Sequence, residues 1–480
     1  MTLYKLLENV KYEGQVEDIS ISSVSSDSRQ IRRGDAFFCI RGERSDGHEY
    51  AAVALEKGAA VVVAERDLGL ANQILVEDSH EAYGVACAAL FGNPARDMMM
   101  IGVTGTNGKT TVTSLVKQIL TMSGYKVGLI GTIHNEIGEA VVPTKHTTPD
   151  AYQFHAMLAR MKEAGCTHVV MEVSSHALDQ KRVAGIRFAA SAFTNLTQDH
   201  LDYHKNMENY YNAKKGLFLM SDNAVINYDD VYGKRMLEEV PCVKYTFSCE
   251  SDEADYTAHN IKYNEKGSQF ALLEHGNLRK VHISQPGSFS VSNAMAAAVI
   301  CIVCGMKSEY VVEALENCKS VMGRLEILPT NTPYTVIRDY AHTPDGLEKA
   351  ISTVKEFAPG RVVTLFGCAG NRDRSKRHMM AEAAARYSDF CILTSDNPRD
   401  EDPRRIINDA LPGIQNSGTM YKVIIDRYEA IQWALTHSRP DDILILAGKG
   451  HEDYQVLEYG TINFDEREIV FKLLGIEDEG

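Results

Sequence analysis

The sequence predicts an α/β protein of three domains: a small N-terminal α/β domain, a central domain with a phosphate loop and a parallel sheet, and a C-terminal Rossmann-like doubly wound domain. Three observations support this prediction. Short apolar runs alternate with helical patterns, a glycine-rich loop connects one apolar run to a helix, and polar clusters follow many of the runs. Ligands bind beyond the carboxyl ends of strands in open α/β sheets, so these clusters are the candidate functional residues.

The first predicted domain covers residues 1–97. Its short apolar runs at 35–40, 59–64 and 74–77 lie between turn-rich polar stretches. It ends on a linker at 91–97, where Gly and Asn-Pro break regular structure. The length of 480 residues agrees with this division, since a domain takes roughly 150 residues.

The central domain, residues 98–327, is predicted from the alternation that follows. After the phosphate loop we predict a helix over 110–122, which ends before Gly124. The predicted strands of its buried parallel sheet are 98–103, 126–130, 168–173, 189–193 and 224–227.

The alternation restarts in the C-terminal domain, residues 328–480. The predicted strands are 335–338, 362–366, 390–394, 422–425 and 443–447. The predicted helices are 344–357, 378–387, 406–411 and 428–437. This order of strands and helices predicts a second doubly wound sheet.

Composition and charge exclude several classes of protein. A chain with 44% hydrophobic and 24% charged residues is neither disordered nor fibrous. Its net charge of -15 argues against a nucleic-acid partner, because phosphate backbones require a basic surface. We find no signal peptide and no run long enough to span a bilayer, so we expect a cytoplasmic protein without membrane insertion. We also expect it to be a monomer. Cys301 and Cys304 lie in an apolar helical run and are predicted to be core thiols.

The loop after the first central strand predicts nucleotide binding. Its glycines allow backbone N–H groups to surround a phosphate, and Lys109 would reach the β- and γ-phosphates. A hydroxyl of Thr110 or Thr111 would hold Mg²⁺. The candidate residues are Gly105, Thr106, Asn107, Gly108, Lys109, Thr110 and Thr111. Val103 stands where the common motif has glycine, and the alternative is a glycine-rich turn with a surface lysine.

Three further residues of the central domain are candidates for metal binding or catalysis. Glu172 ends a predicted strand of the same sheet, where a carboxylate is a natural Mg²⁺ ligand; the alternative is a half-buried charge paired with an arginine. A lone histidine such as His200 is more often structural than a metal ligand, but its neighbours Asp199, Asp202 and His204 strengthen the case for a metal role. Lys214, judged on composition alone, is a surface lysine.

Charged residues near the strand ends of the last domain suggest a substrate that carries carboxylates. They are Arg324, Asp339, His342, Arg372, Arg374, Asn397, Arg399, Lys449, His451 and Glu452. Arginine guanidinium groups bind carboxylates through two parallel hydrogen bonds. The alternative is a set of salt bridges to neighbouring acidic residues.

Taken together, these motifs match a known family. The chain resembles the Mur ligases of bacterial cell-wall synthesis nearly end to end, and within them the type that forms the tripeptide. GTNGKT is shared with folate-polyglutamate ligases, whereas EVSSHAL, DYAHTPD and DNPR are more specific. The matching motifs are DSRQIRRGDAFFCIRGERSDGHEY, GTNGKTT, TTPD, MEVSSHAL, FTNLTQDHLDYH, YNAKKGLF, MGRLEIL, DYAHTPDGLE, GCAGNRDRSKR, DNPRDEDP, AGKGHEDYQ and FDEREI.

The resemblance implies an ATP-dependent ligase. It would add meso-diaminopimelate to UDP-N-acetylmuramoyl-L-alanyl-D-glutamate through an acyl phosphate, as a step of peptidoglycan precursor synthesis. By resemblance, Lys109 is catalytic, and Thr111, Glu172 and His200 hold Mg²⁺. The lysine matching Lys214 is carbamylated in the family, which makes it an anionic metal ligand and replaces the surface-lysine interpretation.

The resemblance also implies binding residues for each substrate. Those for the UDP-linked substrate are Ser28, Thr147, Thr148, Ser174, Gln180 and Arg182. Those on the adenosine side of ATP are Asn293, Arg324, Asp339 and His342. Those for diaminopimelate are Arg372, Asn397, Arg399, Gly448 and Glu452. In the family, DNPR accompanies diaminopimelate, because Arg399 would bind the distal carboxylate that lysine lacks.

Two alternatives stay open at this point. The same ligase chemistry could use L-lysine or another amine. In a different class, the chain could be a nucleotide-dependent switch or binding protein, although a switch has no need of Arg372, Asn397 and Arg399 in a separate domain. The chain also departs from the family at Ala369 and Asn371, where Gly and Asp are usual.

Overall fold

The computed structural model describes residues 1–14, 17–42, 45–144 and 146–477. Two residues of the first family motif, at 43 and 44, and the last three of the predicted third domain lie outside this description. The chain forms two compact units. The first comprises Met1–Thr246 with Val299–Met306, and the second comprises Phe247–Ala298 with Lys307–Gly480.

The N-terminal part of the first unit is a small sheet covered by short helices. From one edge to the other, its strands are Tyr12–Glu13, Gln73–Val76, Val61–Ala64, Ala36–Phe38 and Val24–Ser25. The first pair is antiparallel and the others are parallel. The helices are Leu3–Leu6, Ala51–Glu56 and Ser79–Leu90, with 3-10 turns at Gly47–Tyr50 and Pro94–Asp97. The last of these turns lies in the predicted linker, where Pro94 opens it.

A parallel sheet forms the core of the remainder of the first unit. Its strands lie in the order Ser221–Asn227, Phe188–Phe193, Met99–Thr104, His168–Glu172 and Val127–Ile130. These strands are mostly buried on both faces, which explains why they read as apolar runs. An antiparallel ribbon, Asn135–Ile137 and Ala140–Val142, extends one edge. The helices are Lys109–Met122, Ala151–Glu163, Ser175–Asp179, Leu201–His204, Met207–Leu219 and Val231–Glu239.

The second unit begins with three antiparallel strands that the sequence analysis did not predict. They are Tyr256–Asn264, Gly267–Glu274 and Asn277–Ile283. Polar residues occupy most of their exposed positions, which interrupts the apolar signal on which the strand predictions relied. Helices Ser288–Val303 and Ser308–Glu316 follow, and the strand Val243–Ser248 precedes them at the boundary between the units. Cys301 is buried in the first of these helices, as predicted, and Cys304 is half-buried just after it.

The last sheet is doubly wound, as predicted. Its strands lie in the order Glu326–Leu328, Thr335–Asp339, Ile443–Ala447, Val362–Cys368, Phe390–Ser395 and Met420–Val423. All pairs are parallel except the first. Helices Pro344–Phe357, Ser375–Tyr387 and Pro403–Gln415 pack on one face. Helices Arg427–His437 and Glu466–Leu474 pack on the other, and a hairpin of Tyr454–Leu457 and Gly460–Asn463 precedes the last helix.

The predicted bounds of several elements in this domain were wrong. The helix predicted at 378–387 begins three residues earlier, at Ser375, and the strand predicted at 362–366 extends to Cys368. The helix predicted at 406–411 extends over Pro403–Gln415, because Asp402 caps it and Pro412 is accommodated inside it. The strand predicted at 422–425 is shifted two residues toward the N-terminus, to Met420–Val423. Its exposed residues gave no apolar run to mark the start.

Within the four described ranges, none of the helices combines the length and the apolar character needed to cross a membrane.

Candidate active site

The phosphate loop has the geometry that the sequence predicts. Gly105 has φ 152°, and a side chain there would collide with the Thr194 hydroxyl. Gly108 has φ 86° and lies directly before the helix Lys109–Met122. Both positions therefore require glycine. The loop leads directly into the N-terminus of a helix, where the backbone N–H groups favour a bound anion.

Two lysines converge on this loop. Lys109 Nζ donates to the carbonyl oxygens of Gly105 and Thr106, both at 2.9 Å. Lys214 Nζ donates to the same Gly105 oxygen at 2.7 Å. Lys214 is only 1% exposed, so the surface position suggested by composition was wrong. Burial lowers the pKa of Lys214 well below its usual range, and the charge of Lys109 acts in the same direction.

Glu172 lies at the end of its strand among threonine donors. It is 1% exposed, and its Oε2 accepts from the hydroxyls of Thr110 at 3.0 Å and Thr132 at 2.9 Å. Its Oε1 accepts from the backbone N of Thr132 at 2.8 Å. These donors, rather than an arginine, satisfy the buried carboxylate. Of the two candidate threonines, Thr110 is the one that contacts Glu172, whereas the prediction for Mg²⁺ named Thr111.

His200 has a left-handed backbone conformation, and its ring lies close enough to Lys109 and Lys214 to be affected by their charges. It has φ 51° and precedes the short helix Leu201–His204. Its Nε2 lies 3.4 Å from Asp199 Oδ2, and its ring is 4.9 Å from that of His176. Desolvation lowers the pKa of His200 to about 4, although Asp199 opposes the shift. The imidazole is therefore neutral near pH 7 and keeps a lone pair for a ligand.

The residues predicted for the UDP-linked substrate form a continuous network beside Glu172. The Thr148 hydroxyl donates to the Glu172 carbonyl at 2.9 Å and accepts from the backbone N of Ser174 at 3.1 Å. Arg182 donates to the Thr148 carbonyl at 3.0 Å and to Gln180 Oε1 at 2.7 Å. In addition, the hydroxyl oxygens of Thr132 and Thr147 lie within hydrogen-bond distance, at 3.0 Å. Ser28 lies apart from them in the N-terminal sheet region, where its carbonyl accepts from Lys57 at 2.9 Å.

In the second unit, the residues predicted on the adenosine side fall on separate elements. Asp339 is buried at a strand end, where its carboxylate accepts from the backbone N of Leu325 at 2.7 Å. Burial raises the pKa of Asp339, and the charge of Arg324 opposes that shift. The Arg324 guanidinium lies 4.8 Å from the Tyr340 ring centroid. His342 follows on the same loop, whereas Asn293 is buried on the helix Ser288–Val303.

A buried lysine organises the residues predicted for the amine substrate. Lys449 is fully buried, and its Nζ donates to Asn397 Oδ1 at 3.1 Å and to the Tyr454 carbonyl at 2.7 Å. The same ammonium lies 3.3 Å from Asp396 Oδ1 and 3.4 Å from Glu452 Oε2. Asn397 donates in turn to Glu452 at 3.0 Å. From the sequence, Lys449 is predicted only to lie near a strand end, without a role of its own.

The predicted carboxylate-binding arginines lie on neighbouring loops of the same sheet. Arg399 Nη1 donates to the Gly370 carbonyl at 2.5 Å, and Arg399 has φ 53°. Arg372 is exposed on the loop that contains Gly370. Gly448, with φ 114°, donates its N–H to the Asp339 carbonyl at 3.0 Å. Asn397 and Glu452 therefore lie around Lys449, and Gly448 contacts Asp339.

We expect Lys449→Met to destabilise the second unit by about 3–5 kcal/mol, because it leaves the buried Asp396 and the half-buried Glu452 without their counter-charge. Urea denaturation followed by the fluorescence of Trp433, the chain's single tryptophan, reports on this unit. Lys355→Met is the matched control, since Lys355 forms an exposed pair with Asp389 at 2.6 Å. Equal midpoints for the two variants would contradict the prediction.

No group of three His, Cys, Asp or Glu side chains in the described ranges is arranged as a ready metal site. The donor set near the phosphate loop still suits Mg²⁺ in chemical type, because Glu172 supplies carboxylate oxygens and Thr110 a hydroxyl. An unmodified Lys214 offers only nitrogen, which Mg²⁺ disfavours. The Mg²⁺ ligands and the carbamylated lysine therefore stay predictions.

Comparison with known proteins identifies the class. Three family models match in chain order: the Mur ligase family catalytic domain over residues 20–90, the Mur ligase middle domain over 103–301, and the Mur ligase glutamate ligase domain over 323–450. The chain belongs to the Mur ligase family. The predicted resemblance and the predicted α/β class are both confirmed, and ATP use is supported by this membership.

Relatives along the whole chain carry one particular name, UDP-N-acetylmuramoyl-L-alanyl-D-glutamate--2,6-diaminopimelate ligase. A protein of that name from Clostridium tetani is 42% identical over 99% of both chains. A second, from Clostridium acetobutylicum, is 43% identical over 99% of both chains. A solved structure with that title is 32% identical and covers 99% of both chains, with a TM-score of 0.74.

Proposed function

We propose that this chain catalyses the ATP-dependent addition of meso-diaminopimelate to UDP-N-acetylmuramoyl-L-alanyl-D-glutamate, in the synthesis of peptidoglycan precursors. The observation that carries the proposal is the identity of 42–43% over 99% of the chain to proteins named for this reaction. The phosphate loop and the buried carboxylate beside it support the same chemistry. Because both ATP and a nucleotide-linked acceptor are needed, we propose a cytoplasmic location, and we propose that the protein acts as a monomer.

The first chemical step is activation of the acceptor. The carboxylate of the D-glutamyl end attacks the γ-phosphorus of ATP in line, forms an acyl phosphate and releases ADP. Lys109 neutralises charge that develops on the transferred phosphoryl group, and the loop N–H groups hold the β- and γ-phosphates. Gly105 to Thr111 are the residues of this cradle, and Asn293, Arg324, Asp339 and His342 are the proposed residues for the adenosine side.

The metal is proposed to be held by Thr111, Glu172, His200 and a carbamylated Lys214. Magnesium, when bound, supplies a divalent charge that polarises the phosphoryl oxygens. Carbamylation is chemically reasonable at Lys214, because only an uncharged amine attacks CO₂ and burial lowers the pKa of this lysine. The addition forms an N–C bond and releases one proton, so that a buried amine becomes an anionic oxygen ligand.

The second step joins the amine. The free amine of diaminopimelate attacks the acyl carbon, and the resulting tetrahedral intermediate releases inorganic phosphate and the amide. We propose that Ser28, Thr147, Thr148, Ser174, Gln180 and Arg182 hold the UDP-linked acceptor. We propose that Arg372, Asn397, Arg399, Gly448 and Glu452 hold the amine. No nucleophilic serine or cysteine is needed, because the acyl phosphate is already activated.

The proposal is tested by measuring phosphate release with each substrate omitted in turn. Release is expected only when ATP, the UDP-linked acceptor and diaminopimelate are all present. A nucleotide-dependent switch would instead hydrolyse ATP at the same rate without an amine. If lysine supported release as well as diaminopimelate, the ligase class would stand but the assigned amine would be wrong.

A further inference from the structure

The two loops that carry Arg372 and Arg399 are joined to each other at several points. The first, residues 369–374, follows the strand Val362–Cys368, and the second, residues 396–401, follows the strand Phe390–Ser395. The backbone N of Gly370 donates to the Asn397 carbonyl at 2.9 Å. A side chain on Gly370 would collide with the Pro398 carbonyl, so the two backbones lie in direct contact.

An ion pair between the buried Arg377 and the half-buried Glu401 lies directly behind this contact. Arg377 is 2% exposed in its side chain, and its Nη2 donates to Glu401 Oε1 at 2.8 Å. The same carboxylate oxygen accepts from the backbone N of Asn371 at 2.6 Å. Through its other branch, Arg377 Nη1 donates to Asp409 Oδ2 at 2.8 Å. One guanidinium thus links the first loop, the second loop and the helix Pro403–Gln415.

Both loops contain a residue in the left-handed region of backbone space. Asn371 has φ 53° and Arg399 has φ 53°, and neither is glycine. Such conformations persist only where the surroundings hold them. Glu401 holds the Asn371 N–H, and the Arg399 N–H donates to the Val456 carbonyl at 3.0 Å. The backbone directions at Arg372 and Arg399 therefore depend on these contacts.

We propose that Arg377 and Glu401 are positioning residues that set the amine specificity of the proposed reaction. By fixing the separation of the two loops, they keep Arg372 and Arg399 in place for the distal carboxylate of the amine. The inference rests on the proposed function. It adds that specificity depends on an ion pair behind the two loops, which acts through Arg372 and Arg399. An ion pair of this kind contributes little net stability by itself, so its effect on the geometry of the two loops is the more informative property.

The first test is Glu401→Gln, which keeps the shape of the side chain and removes its charge. We expect the KM for diaminopimelate to rise about tenfold or more, because small displacements of binding groups are costly. The KM for ATP should stay unchanged, and the preference for diaminopimelate over lysine should fall by the same factor. Glu348→Gln is the matched control, because Glu348 pairs at 3.2 Å with Arg386 on the surface of the same unit.

A second variant keeps the test decisive if Glu401→Gln folds poorly. Arg377→Lys keeps the positive charge, but one ammonium cannot reproduce the two guanidinium branches that donate to Glu401 and Asp409. We expect this variant to lower the preference for diaminopimelate over lysine in the same way.

The outcomes separate this inference from the function on which it rests. If the unaltered chain forms no diaminopimelate amide, the proposed function fails. If the unaltered chain prefers diaminopimelate and both Glu401→Gln and Arg377→Lys keep that preference undiminished, the positioning inference is overturned. A purely structural role would lower kcat for both amines equally and leave their ratio unchanged, which would also overturn it.

Discussion

Lys214→Ala is expected to reduce the rate of amide formation by about 10²–10³-fold, the usual cost of removing a group that stabilises the transition-state charge. The lysine is buried against the phosphate loop, with its Nζ 2.7 Å from the Gly105 carbonyl. If Lys214 acts as a carbamate, its loss removes an anionic ligand from the metal. Initial rates of phosphate release, measured with saturating ATP, acceptor and diaminopimelate, provide the test.

Chemical rescue distinguishes this role from simple loss of packing. A short carboxylic acid, such as acetate or formate, can enter the space that Lys214→Ala vacates and supply an oxygen ligand, so part of the activity should return. Lys215→Ala is the matched control, because Lys215 is 24% exposed in its side chain and pairs with Glu239 at 2.7 Å. Full activity of Lys214→Ala without any additive would refute the carbamate.

Arg399→Ala is expected to raise the KM for diaminopimelate by about a hundredfold, with little change in the KM for ATP. Without the Arg399 guanidinium, the distal carboxylate of diaminopimelate has no hydrogen-bonding partner in the site. Lysine has no distal carboxylate, so its binding should change little. The preference for diaminopimelate over lysine should therefore collapse. Kinetics with both amines, each at saturating ATP and acceptor, measure the change.

A conservative variant sharpens this second prediction. Arg399→Lys keeps the charge and loses the planar geometry, so it should retain only a part of the preference. Arg405→Ala, an exposed change on the helix Pro403–Gln415, should leave both amines unaffected. Equal rises in the KM of diaminopimelate and lysine for Arg399→Ala would count against the assigned role of Arg399.

Much of the framework was predictable because it depends on local patterns. The buried parallel strands are continuous apolar runs, and the helix after the phosphate loop begins where Gly108 requires it. The antiparallel strands within 256–283 were missed because the polar residues on their exposed faces break such runs. Pro412 misled the prediction of one helix end, since local rules do not include the packing that tolerates it.

The site was predictable in its residues more than in its connections. Motif spacing pointed to Glu172, His200 and Arg399, and the family resemblance added a role for Lys214. Its burial depends on how the helix Met207–Leu219 packs on the loop, which composition does not encode. The links from Lys449 to Asn397 and from Arg377 to Glu401 join residues 52 and 24 positions apart, and only the folded chain brings them together.

The most direct test of the central claim is mass spectrometry of the product formed from ATP, UDP-N-acetylmuramoyl-L-alanyl-D-glutamate and an equimolar mixture of meso-diaminopimelate and lysine. We expect a single dominant product, the acceptor extended by diaminopimelate through one amide bond, with one ADP formed per product. A lysine adduct in equal amount would contradict the assigned amine. ADP formation without any adduct would contradict the ligase itself.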